Sequence, residues 1–154
     1  MVLGLFKKKE TGKLLDADEK RLAKEGSEKQ RLRLAGDEKT SQEILYYLAL
    51  HDSSAKVRKA VAKNPSTPMQ ATTLLAKDKV NDVRFVLAHR LVKILPELSA
   101  DKYSQLYAFA VQSLGMLALD EVLKIRKALS ETLKDHAPTP PDVAAQLEIG
   151  RAHV

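Results

Sequence analysis

Four times in this chain an acidic residue is followed six positions later by an arginine: Glu25/Arg31, Asp52/Arg58, Asp78/Arg84 and Asp120/Arg126. A guanidinium presents a planar fork of donors that fits a carboxylate or a phosphate. Four of them at matching places could therefore line a site for an anionic ligand. The same spacing permits a structural use, in which each acid and arginine pair within a repeat or with the next one as an ion-pair ladder. The ladder is favoured, because ligand-binding arginines would need no repeat-matched carboxylate and here each has one. Other chemistry finds little support. His51, His89, His136 and His153 lack metal-ligand spacing such as i, i+4, and no Cys or carboxylate completes a ligand set. The absence of Cys excludes disulfide frameworks, thiolate catalysis and Cys-ligated clusters together. The glycines are scattered, so no phosphate-cradling loop is predicted, and nothing positions a Ser-His-Asp triad. The expectation is a non-catalytic chain with no metal and no cofactor.

The elements that hold these pairs are read from a longer repeated phrase. Leu-Ala precedes each acid, and Ala or Ser follows each Arg by four, giving Leu22-Ala23…Ala35, Leu48-Ala49…Ala62, Leu75-Ala76…Ala88 and Leu117-Ala118…Ser130. The copies step by 26, 27 and 42 residues. Periods in this range indicate stacked supersecondary units, and each unit reads as two helices. Ser41 caps a helix bearing Ile44, Leu45 and Leu48 on one face, with Glu43 in its first turn. A second helix turns Val57, Ala60 and Val61 inward and Lys56, Lys59 and Lys63 outward. The run Asn64-Pro65-Ser66-Thr67-Pro68 stops that helix and starts the next, since Pro suits a first helical turn and not an interior.

The next unit carries Ala71, Leu74 and Leu75, then Val83, Val86, Leu87, Leu91 and Ile94, with its second helix ending at Pro96. Tyr103, Leu106, Tyr107, Ala110, Val111 and Leu114 form an amphipathic stripe, partnered by Val122, Ile125, Leu129 and Leu133. Longer helices and a longer connection account for the step of 42 residues. At the front, Gln30 stands where the other copies have Val57, Val83 and Ile125, so residues 17–35 read as a polar N-terminal cap repeat.

Composition agrees with helix. Leu and Ala dominate, Trp is absent, and aromatic residues make up 5% of the 154. The net charge is +6, distributed as +3 over residues 1–40, +4 over 41–99 and −1 over 100–154. This is a mild bias, short of a basic stripe that would demand a polyanion. Residues 1–13 read as a flexible tail, apolar for six residues and then Lys7-Lys8-Lys9, with neither signal-peptide nor membrane-span character. Residues 14–148 read as the repeat domain, with an incomplete last unit from 139, where Ala137-Pro138-Thr139-Pro140-Pro141 echoes the run at Asn64. The ending Ile149-Gly150-Arg151-Ala152-His153-Val154 resembles the translation of a common sequencing-adapter oligonucleotide. Residues 149–154 are therefore expected to be a non-native tail on a solenoid truncated at its C-terminus.

The acid–arginine pattern resembles the Asp/Arg ladder of HEAT repeats. The phrase Val57-Arg58 through Pro68, with Leu45-Tyr46-Tyr47-Leu48-Ala49 and Leu74-Leu75-Ala76-Lys77-Asp78, resembles the leucine-rich repeat variant. It is more similar still to an uncharacterised alphaproteobacterial domain-of-unknown-function family that opens with such repeats. The resemblance spans about residues 14–147 and implies an all-α fold, a right-handed α–α superhelix of three to four helical hairpins of the HEAT/armadillo-like kind. It implies no activity. The iron–sulfur function of the leucine-rich variant needs cysteines and does not carry over.

A cytoplasmic protein-interaction scaffold is the resulting expectation, with partners meeting outward positions: Tyr46, Tyr47, Lys56, Lys59, Lys63, Phe85, His89 and Arg90. Phe85 is notable, since Lys59 and Lys127 occupy the equivalent places. The alternative is a nucleic-acid-binding HEAT-like module that uses Lys56, Lys59, Lys63, Arg90 and Lys93 on phosphates. It is disfavoured because Asp82 and Glu131 interrupt the stripe and few aromatic residues could receive a base. Stable membrane insertion is not expected, and the oligomeric state is open.

Overall fold

The computed structural model describes residues 17–102, 104–135 and 143–145, and every regular element among them is helical. Helix α1 spans 17–25. It is followed by α2 (Glu28–Gly36), α3 (Gln42–His51), α4 (Ala55–Lys63), α5 (Gln70–Leu75), α6 (Asn81–Leu98), α7 (Gln105–Ala118) and α8 (Leu123–Asp135). The predicted tail at 1–13, the prolines at 137–141, most of the incomplete last unit and the ending at 149–154 lie outside the described residues.

Local chemistry sets most boundaries. Ser41 Oγ accepts from the Ile44 backbone N–H, as its place predicts, and Ser104 Oγ does the same for Tyr107. Ser27 and Gln30 form a reciprocal capping box, in which Gln30 N–H donates to Ser27 Oγ and Ser27 N–H donates to Gln30 Oε1. That accounts for Gln30, which is exposed, whereas Val57, Val83 and Ile125 at the matching places are fully buried. Helices α2 and α4 stop where threonine hydroxyls seal their last carbonyls, Thr40 on Leu34 and Thr67 on Val61.

Helix order alternates between two rows. In one row α4 packs between α2 and α6, and α6 between α4 and α8; in the other α5 packs between α3 and α7. A continuous apolar core runs between them, including Leu45, Leu48, Val57, Val61, Leu75, Leu87, Leu91, Leu114, Ile125 and Leu129, each with no exposed surface. Burying one such side chain contributes about 1.5–3 kcal/mol. Thr72 and Ser113 add a buried hydroxyl–hydroxyl bond of 2.8 Å between α5 and α7.

Three expectations need correction. Helix α6 does not end at Pro96 but runs to Leu98. Proline there removes a single bond in the last turn, and Ser99 closes that turn through its N–H to Leu95 O and its hydroxyl to Pro96 O. On α7 the buried stripe is Ala110, Ser113, Leu114, Leu117 and Ala118, and Leu106 is 47% exposed. The inward face is rotated from the predicted one because α7 must meet α5, α6 and α8. Tyr103 lies outside the described residues. The step of 42 residues comes from both helices, α6 with 18 residues against 9 for α4 and α7 with 14 against 6 for α5. The connection is not longer, since 99–104 matches 64–69 in length.

Candidate interaction surface and the Arg–Asp rungs

Three of the four arginines of the repeated pair, Arg31, Arg58 and Arg84, reach forward to the acid of the next unit. Arg31 Nε donates to Asp52 Oδ2 at 2.7 Å, Arg58 Nε to Asp78 Oδ2 at 2.6 Å, and Arg84 Nε to Asp120 Oδ2 at 2.6 Å. Nη2 completes each fork on Oδ1, at 3.4, 3.1 and 3.0 Å. The third nitrogen turns back to the preceding loop of its own unit: Nη1 of Arg58, Arg84 and Arg126 donates to the carbonyls of Asp52, Asp78 and Asp120. Each aspartate also accepts from the backbone two residues on, at Ser54, Val80 and Val122. One rung thus fixes a loop, a helix start and the neighbouring hairpin.

Two rungs are nearly closed to solvent, and the first is partly open on its arginine side. Side-chain exposure is 8% and 6% for Arg58 and Asp78, 7% and 6% for Arg84 and Asp120, and 19% and 1% for Arg31 and Asp52. Hydrogen bonding to the carboxylate, reinforced by its charge, raises the pKa of Arg31, Arg58 and Arg84 against the opposing effect of burial. With Nε, Nη1 and Nη2 each hydrogen-bonded within the protein and Arg58 and Arg84 buried, these arginines are committed to the rungs.

Glu25 departs from the pattern: it is exposed and makes no ion pair among the described residues. It is still inside α1, because the α1–α2 turn is only Gly26-Ser27. Gly26 is required there, since a Cβ would lie 2.4 Å from the Leu22 carbonyl oxygen. Arg31 consequently donates to Gly26 O, not to Glu25 O. Arg126 keeps its loop contact, and no carboxylate pairs with it among the described residues.

A second cross-link between units falls on residues outside the acid–arginine pairs. Asn64, buried, donates through Nδ2 to the carbonyls of Ala35 and Asp37 at 2.9 and 3.0 Å, and Ser66 Oγ donates to Glu38 O. Only the shared position, six after each repeat arginine (Asp37, Asn64, Arg90), could have revealed it in the sequence.

Five of the eight expected surface residues, Lys59, Lys63, Phe85, His89 and Arg90, come together around one groove of about 950 Å³. Tyr46, Tyr47 and Lys56 do not line it. Tyr46 and Tyr47 sit on α3 in the other row, Tyr47 against His51 with ring centroids 4.9 Å apart. Lys56 reaches Glu28 at 3.8 Å, and Lys59 reaches Asp82 at 3.7 Å. Phe85 is half-buried, edge-on to His89 at 4.6 Å, with Lys124 Nζ 4.2 Å from its centroid. It is therefore both packing and groove wall.

Among the described residues no group of His, Asp or Glu could hold a metal ion, and no helix is long and apolar enough to cross a membrane. Set against family models, curated proteins and solved structures, the chain matches none.

Proposed function

We propose that this chain is a non-catalytic α-solenoid, a right-handed HEAT- or armadillo-like superhelix whose hairpins present a binding surface to a protein partner. The observation that carries the reading is the rung. The same fork joins α2 to the loop after α3, α4 to the loop after α5, and α6 to the loop after α7. A joint repeated in this way is the means by which a stack of hairpins keeps one register over its length. Function then resides on the faces that the rungs do not use.

The nucleic-acid alternative has less support. Lys56 and Lys59 stand near carboxylates, Lys124 lies over Phe85, and the groove itself includes Glu38 and Glu97. A phosphate-tracking surface needs unopposed cations.

The test is site-specific photo-crosslinking in the cells that encode the chain, with the reactive residue at Lys59 or Lys93 on the groove and at Tyr46 on the other row. Discrete protein adducts from either face are the expected result. Nucleic-acid adducts, with retention on a heparin column to high salt, would replace the reading with the alternative. No adduct from any of the three positions would remove the scaffold reading.

A further inference from the structure

Arg90 occupies the place that ends the equivalent helices. Asp37 and Asn64 terminate α2 and α4, but at Arg90 helix α6 runs on to Leu98. The overhang has no counterpart on α4, and the groove is the space between it and the loop at 64–69. Arg90 also inherits Asn64's bonding. Its Nη2 donates to Thr67 O at 2.8 Å and to Pro65 O at 3.4 Å, one hairpin on from Asn64's bonds to Ala35 and Asp37. An amide suffices for that task in the earlier unit. The guanidinium brings further donors, and its Nε and Nη1 are buried with no hydrogen-bond partner. They are the only buried side-chain polar atoms of the described residues left in that condition. Burial without a counter-charge pushes the Arg90 pKa down, opposite to the rung arginines.

The rest of the groove states what would relieve this. Its walls are apolar, from Met69, Val86, Ile94 and Leu98, and its exposed rim sets Lys59, Lys63 and Lys93 against Glu38 and Glu97, a net positive balance. We propose, building on the scaffold reading, that this groove docks a short segment of a partner protein carrying one carboxylate between bulky apolar residues. The carboxylate accepts from the unpartnered donors of Arg90 as the segment displaces the side chains that shield them, and Lys63 and Lys93 favour the approach. A nucleic-acid strand fits less well, because the walls offer apolar surface where a strand needs successive phosphate contacts.

The probe is an array of 12-residue peptides with Glu or Asp at the centre and Leu, Ile or Phe on both sides, each paired with its Gln or Asn counterpart. Binding to the full chain is measured by fluorescence polarisation, with the Arg90 Nε–H resonance followed by NMR. The expected result is binding of acidic members, weakened roughly tenfold or more by Glu→Gln, and a shift of the Arg90 Nε–H resonance. Arg90→Met should remove the preference for acid, and Lys93→Glu, an exposed change that leaves the core intact, should weaken binding on its own. Equal affinity for Glu and Gln peptides would overturn the proposal, as would binding unchanged in both variants or displacement of bound peptide by oligothymidylate. Protein adducts arising only from Tyr46 would sink the groove and leave the scaffold standing.

Discussion

Arg84 and Arg90 lie on one helix, six residues apart, and are used in opposite ways. Arg84 places Nε and Nη2 on Asp120, Nη2 also on Asn81, and Nη1 on its own loop. Arg90 uses Nη2 alone and leaves two nitrogens buried without partners. The first has its pKa raised by its carboxylate, and the second has it lowered by burial. The residue type is the same, so the difference lies in what faces it. An arginine that faces the acid of the next unit is a joint between hairpins, and Arg90, which faces none, is on the reading proposed above the one left for a partner.

Breaking a joint should have the largest effect. Asp78→Ala leaves Arg58, 8% exposed, without its counter-charge, and should destabilise the chain by about 3–5 kcal/mol in urea unfolding. Replacing both partners together, as Arg58→Met with Asp78→Leu, should cost far less, since an apolar pair of similar volume often matches a buried ion pair. A double substitution as damaging as the single one would show that the loop contacts of Arg58 and Asp78, and not the charge pair, hold the hairpins together. Next in size is Asn64→Ala. It removes the side-chain donor to the Ala35 carbonyl and one of the two donors to Asp37 O, which keeps its bond from Thr40 N–H. The change should cost about 1–3 kcal/mol, with α2 amides losing hydrogen-exchange protection before those of α8.

How much of this was open to the sequence divides along the same line. The all-helical build, the Ser41 cap, the buried face of α4 and the burial of Ile125 and Leu129 on α8 follow from period and spacing, because helix geometry is local. The side chain of Leu133 lies outside the described residues. The rungs were half legible. Spacing named every participant, yet a distance along the chain cannot say whether Arg58 turns to Asp52 or to Asp78. It turns to both, by different nitrogens. Gln30 looked like a degraded core position and is a capping-box residue, which only backbone geometry could show. The inward face of α7 depended on its neighbours, so Leu106 was misplaced. The repeat pattern marks Arg90 as an outward residue, but its equivalence to Asn64 is hidden by dissimilar side chains. Its importance also rests on the overhang of α6, which the proline at 96 concealed.

The exposed charge pairs should matter little beside the rungs. Lys56 with Glu28, and Lys59 with Asp82, are open to solvent and more than 3.5 Å apart. Glu28→Gln or Asp82→Asn should change stability by less than about 1 kcal/mol, a difference that fades in 0.5 M salt. The Arg58–Asp78 rung should keep most of its effect under the same salt, because it is nearly closed to solvent.

The smallest net change is expected at Arg90 itself, and for a reason that separates it from Arg84. Arg90→Met removes the donors to Thr67 O and Pro65 O, which destabilises, and removes a buried cation with unpartnered nitrogens, which stabilises. The two should cancel to within about 1 kcal/mol, with unfolding midpoints near those of the unaltered chain. The pH dependence has a definite sign. A base whose pKa is lowered on folding carries its penalty at every pH below the folded value, and the penalty is relieved as pH rises through it. For a rung arginine, raised on folding, the contribution is full below the unfolded value and lost as pH rises through the folded one. Guanidinium groups stay charged across pH 5–9, so the stability difference between Arg90→Met and the unaltered chain should be flat there. A loss of several kcal/mol would instead make Arg90 a joint like Arg84, and would dissolve the distinction between the two.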